Sequence, residues 1–166
     1  MNSSSLAYAA GLGTIAGMRS MAAPALLSRR LRRTRLFDRL RSRSVLVHLL
    51  ALRRADTVLT VLAAGEMIAD KLPVVPARTK LPSLVGRAAS GALCGGAVAA
   101  RHGGSRPLAA AVGAAAAVGA AHLAYRLRKR AGEATGLPDP LLALAEAAIV
   151  LTAGSRLAAS AGPAAR

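Results

Sequence analysis

Apolar and charged residues fall into alternating blocks along this chain. Five apolar segments stand out: Leu6 to Leu27, Thr57 to Val75, a glycine-rich stretch between Arg87 and Arg101, Pro107 to Tyr125, and Pro140 to Ala159. Four of them approach the roughly 20 residues that a membrane-spanning helix needs. The third holds thirteen uncharged residues between its flanking arginines. As a helix these reach about 20 Å, against a hydrocarbon core of about 30 Å, so the segment spans only if Arg87 and Arg101 snorkel. The pattern predicts an all-α integral membrane protein with a single transmembrane domain over residues 1–166. Its architecture is read as a bundle of four full transmembrane helices plus one short Gly-rich, re-entrant segment near 84–101. Five full spans is the alternative.

Charge orients the bundle. Ten arginines lie between Arg29 and Arg54 against a single acid, Asp38. The positive-inside rule makes the loop at about 28–54 cytoplasmic, which places the N-terminus outside if the first segment spans. A second basic stretch, Arg126, Arg128, Lys129 and Arg130, follows the fourth segment. Both stretches lie inside only if the third segment does not cross, which is why it is read as re-entrant. Within the first loop, Leu31, Leu36, Phe37, Leu40 and Val47 fall near one side of a helix that could rest on an anionic leaflet; a solvated linker is the alternative. Val45 to Leu52 reads as a short membrane-entering helix.

Composition narrows the function classes. The chain is 54% hydrophobic and 2% aromatic with a formal charge of +16. Tyr8, Phe37 and Tyr125 are too few to stack bases, so the basic excess points to anionic headgroups as partners and not to nucleic acid. The lone Cys94 excludes an intrachain disulfide. No phosphate-binding loop, His-Glu-x-x-His or nucleophile elbow occurs, so neither a metal, a cofactor nor an enzymatic activity is expected. Gly-x-x-x-Gly occurs at Gly13/Gly17 and Gly91/Gly95, which predicts close helix packing and fits a homo-oligomer.

The candidate chemistry is ionic. Arg19, Glu66, Asp70, Lys71, Arg87 and Glu146 fall inside or at the ends of apolar segments. Each charge costs roughly 2.5–3.5 kcal/mol near a helix centre, so such residues pair or line a polar cavity. Glu66 and Asp70 share a helix face by their spacing of four. With Ser20 and Ser90 these residues make a candidate intramembrane polar site, in which Glu66 carries a proton or cation and the arginines balance it or hold an anionic group. The structural alternative is that Arg19 or Arg87 neutralises Glu66 and only ties helices together. Arg19-Ser20 with a later Glu66, and Arg87 to Ser90 with a later Glu146, form a faint internal echo of the kind found in repeat-built transporters.

Gly17-Met-Arg-Ser20, Gly65-Glu-Met-Ile-Ala-Asp-Lys-Leu-Pro73, Arg78-Thr79 and Arg87-Ala-Ala-Ser-Gly-Ala-Leu93 together resemble the uncharacterised bacterial membrane family catalogued as domain of unknown function 4126. The resemblance continues through Tyr125-Arg-Leu-Arg128 and Leu137-Pro-Asp139. Where that family's pattern has an acidic pair in the last segment, this chain has Glu146-Ala147. The resemblance implies a bacterial inner-membrane location and carries no activity. The expected function is a small transporter or channel for an ion or solute, proton- or cation-coupled, with a non-catalytic membrane scaffold as the alternative.

Overall fold

The computed structural model describes residues 3–33, 44–69 and 81–161. These form seven helices: α1 Ser3–Met18, α2 Ala22–Arg33, α3 Val45–Leu50, α4 Arg53–Ala69, α5 Leu81–His102, α6 Arg106–Thr135 and α7 Asp139–Ser160. Three of them, α5, α6 and α7, are long and apolar enough to cross a membrane. Large apolar side chains such as Val61 on α4, Leu123 on α6 and Ile149 on α7 stay exposed on the outside of the bundle. An all-α protein with three candidate spans and an apolar exterior indicates a membrane location.

The centre of the bundle is α1, α5 and α6, held together by small residues. A Cβ on Gly91 would lie 2.3 Å from the carbonyl oxygen of Gly113, and one on Gly95 2.2 Å from that of Ala109. The matching therefore runs in opposite senses, and α5 and α6 are antiparallel around the turn at Gly103, whose φ of 74° suits glycine. On α1, Gly13 meets Gly113 and Gly17 meets Ala117, so α1 runs parallel to α6. Both Gly-x-x-x-Gly motifs are thus spent inside the chain against one helix, where bare backbones approach closely enough for dense packing.

The first apolar segment is not one helix. Pro24 sits in the first turn of α2, where its missing N–H costs nothing, but its ring excludes a helix continuing back through Ser20. The chain breaks at Arg19 to Met21 and turns back. Gly11 and Ile15 on α1 lie against Leu157 and Gly154 of α7, and Leu26 on α2 returns to the same Gly154. Arg19, between the two arms, reaches Ala143 near the start of α7. Hence α1 and α2 form a hairpin whose tip lies within the bundle. Ser3 and the arginines at the end of α2 stand at the same end of the molecule, where Tyr8 stacks on His102 at the end of α5 with ring centroids 5.5 Å apart. This removes the premise for an N-terminus opposite the arginine-rich loop.

The third segment also differs from expectation. It is a continuous helix of 22 residues, α5, about 33 Å long. Arg87 does not end it. That side chain is 4% exposed and satisfied inside the bundle, so the helix extends a further turn and a half before it. The turning segment of the bundle is therefore the first, not the third, and the arginines at the end of α2 and the start of α4 lie at the opposite end of the bundle from Arg126, Arg128, Lys129 and Arg130 on α6. The fourth and fifth segments match α6 and α7. At 30 residues α6 outreaches its neighbours, and Gly136, at φ 65°, closes it by donating its N–H to Gly132. A short helix does form at Val45–Leu50, but Leu31 and Val47 are fully buried in the core and do not lie on a leaflet. Leu36, Phe37 and Leu40 lie outside the described residues, as do residues 70–80, in which the second apolar segment ends.

Candidate functional site

Breaking a helix inside a bundle exposes the carbonyls of one stub and the amides of the other, and both must be satisfied away from water. Two side chains do this. Glu66, on α4, accepts hydrogen bonds on Oε1 from the Ser20 amide at 2.8 Å and the Ser20 hydroxyl at 3.0 Å, and on Oε2 from the Met21 amide at 2.9 Å. It stands at the N-terminus of α2, where the helix dipole favours an anion. Arg87, on α5, donates from Nη1 to the carbonyls of Gly17 at 2.5 Å and Met18 at 3.0 Å, at the opposite dipole end. Its Nε donates to Ser83 at 3.3 Å, and Nη2 lies 3.6 Å from Glu66 Oε1. One ion pair therefore holds both stubs of the break.

Arg19 turns the other way. Its Nη2 donates to the carbonyl of Ala143 on α7 at 3.3 Å, and the residue is 4% exposed. It lies where two cavities meet. One, of about 180 Å³, lies between α2, α4 and α7 and is lined by Ala25, Ala63, Val150 and Arg29, among others. The other, of about 400 Å³, leads past Ile68 and Leu144 to Arg128 and Asp139. Arg19, Met67 and Ala147 line both.

Glu146 is buried on α7, a turn beyond Ala143, with Arg128 Nη1 3.5 Å from its Oε2. Arg128 also clasps Asp139, in the first turn of α7, with Nε donating to Oδ1 at 2.7 Å. At the other end, Asp56 opens α4 and takes Arg32 at 2.8 Å and Arg29 at 3.8 Å, while the Ser28 hydroxyl donates to the Leu50 carbonyl. Among the described residues no three His, Cys, Asp or Glu side chains cluster in a way that could hold a metal ion.

The structure thus brings Arg19, Ser20, Glu66 and Arg87 to one place, the hairpin tip. Ser90 is buried on α5 a turn from Arg87, and the structure gives it no hydrogen bond to Glu66 or Arg87. Asp70 and Lys71 lie outside the described residues. The echo between the halves is real only as an exchange: Arg87 reaches back to the first half's break, and Arg19 forward to α7. Sequence reasoning gave Arg128 and Asp139 no place in the site and did not single out Asp56. The signal for the acids was positional, since each opens a helix, Asp56 after a run of arginines and Asp139 after Pro138. No family model, characterised protein or solved structure matches the chain.

Proposed function

We propose that this chain is a small membrane transporter or channel whose working centre is the tip of the α1–α2 hairpin. The observation that carries the reading is Arg19, a cation at the turn of a broken helix, directed into the junction of two cavities inside the bundle. Irregular backbone at membrane depth is tolerated where it is buried in protein or lines a cavity, and broken helices of this kind build solute sites in transporters. The cavity linings carry three arginines, Arg19, Arg29 and Arg128, with carboxylates set against the outer two, Asp56 at Arg29 and Asp139 and Glu146 at Arg128, so an anionic group would bind by exchange with a carboxylate. Glu66, with both oxygens engaged, serves to hold the tip and not to carry the solute.

Orientation follows from charge. Among the described residues, the end bearing Ser3, the arginines at the end of α2 and the start of α4, and the α5–α6 turn holds most of the basic side chains, so it faces the cytoplasm. The motif resemblance given above supports a bacterial inner membrane, and the same basic end would lie on anionic headgroups. A homo-oligomer, if formed, uses faces other than the two Gly-x-x-x-Gly stripes.

The purified chain in vesicles, with pH and voltage gradients imposed, tests the reading by following protons, chloride, phosphate and a fluorescent anionic lipid. Passage of one of these, lost in Arg19→Gln with the fold retained, is the expected result. The engagement of every Glu66 oxygen favours a second reading, a non-catalytic scaffold in which the charges only tie helices. No passage of any of the four by a natively folded chain would put that reading in first place.

A further inference from the structure

The two cavities that share Arg19 are one lateral groove. The first runs from Arg19 toward Arg29, near the end of α2, and the second from Arg19 toward Arg128 and Asp139, at the start of α7. Together they follow α7 from its first turn to Leu151, with α4 forming the opposite wall. Three arginines are spaced along this path: one near each end and the buried one between them. The side of the groove is apolar. Ile68, Leu144 and Leu151 line it and are also about half or more exposed, so its long opening lies between the outward faces of α4 and α7, not at an end of the bundle. In a membrane those faces meet lipid tails.

Resting on the transport reading above, we propose that the substrate is an anionic phospholipid. Its headgroup would pass along Arg29, Arg19 and Arg128 while its acyl chains stay outside, against Ile68, Leu144 and Leu151. A soluble anion has no need of an opening walled by leucines, whereas an amphiphile requires one. The space also fits: about 180 Å³ around Arg19 and Arg29 and about 400 Å³ toward Arg128 are each on the scale of a headgroup and not of a whole lipid. A guanidinium offers five N–H donors in a planar fork suited to phosphate oxygens. Arg29 has donors to spare among the described residues, since Asp56 is 3.8 Å away and is held more closely by Arg32. At the other end Arg128 would exchange the exposed Asp139 carboxylate for the phosphate while the buried Glu146 stays against its Nη1.

The test places the full chain in phosphatidylcholine vesicles holding a trace of acyl-labelled fluorescent phosphatidylglycerol or phosphatidylcholine, and bleaches the outer leaflet with dithionite. Bleaching of the anionic label beyond the outer-leaflet fraction, about tenfold faster than that of the zwitterionic one, is the expected result for a charge-assisted contact. Arg19→Gln should abolish the difference. Ala63→Leu fills the groove without touching an arginine and should slow both labels, while Leu123→Ala, on the outer face of α6, should change neither. Equal bleaching of the two labels overturns the inference. Chloride or phosphate flux without lipid movement overturns it and leaves the transport reading standing; absence of every movement removes both.

Discussion

At the scale of single residues, Glu66 and Arg87 act on backbone groups as much as on each other. Each removes the desolvation cost of one stub of a broken helix, and the 3.6 Å contact between them joins the two tasks. Removing the carboxylate leaves a buried guanidinium and two amides uncompensated, whereas removing the Ser20 hydroxyl leaves the carboxylate its two amide donors. Glu66→Ala should therefore cost about 3–5 kcal/mol and Ser20→Ala about 1 kcal/mol. Unfolding in mixed micelles checks this; equal losses would show that the tip is not held by the carboxylate. The charges themselves were legible in the sequence, because an ionisable residue inside an apolar run stands out. Their partners were legible only in part: Arg87 was one of two arginines offered to Glu66, but the backbone groups that both hold were not foreseen. Pairing depends on helix direction, and reading Leu6 to Leu27 as one span sent the chain after Ser20 away from Glu66's reach.

At the scale of elements, hydropathy located α6 and α7 and misjudged α1–α2 and α5, each for one residue's sake. Arg87 was counted as a boundary although its donors are all used inside the bundle, which let α5 run past it. Pro24 was counted as one more apolar residue although its ring forbids helix through Ser20. Packing of α1, α5 and α6 depends on missing side chains, and two glycines on α6 separate this from propensity. A Cβ on Gly113 would lie 2.2 Å from the Gly91 carbonyl oxygen, whereas one on Gly119 meets nothing within 4 Å. Gly113→Ala should destabilise by about 1–3 kcal/mol as backbones are forced apart. Gly119→Ala should be neutral or stabilising by up to about 1 kcal/mol through helix propensity. Thermal unfolding of the two variants in one detergent decides it; similar shifts would contradict the three-helix contact.

At the scale of the whole molecule, one turn decides both topology and chemistry. Because α1 and α2 double back, Ser3 and the arginines at the end of α2 share an end, and a cation is left inside the bundle beside a groove open to the side. Were the same segment a straight span, Arg19 would be one more helix-end charge and the groove would lose its inner wall. The most direct test is therefore sidedness. In a Cys94→Ala background, Ser4→Cys, Arg54→Cys and Glu133→Cys are labelled in intact cells or sealed vesicles with a membrane-impermeant maleimide. The hairpin predicts that Ser4→Cys and Arg54→Cys react from the same side and Glu133→Cys from the other. Labelling of Ser4→Cys and Arg54→Cys from opposite sides would mean that the first segment crosses the membrane, and would contradict the account at its centre.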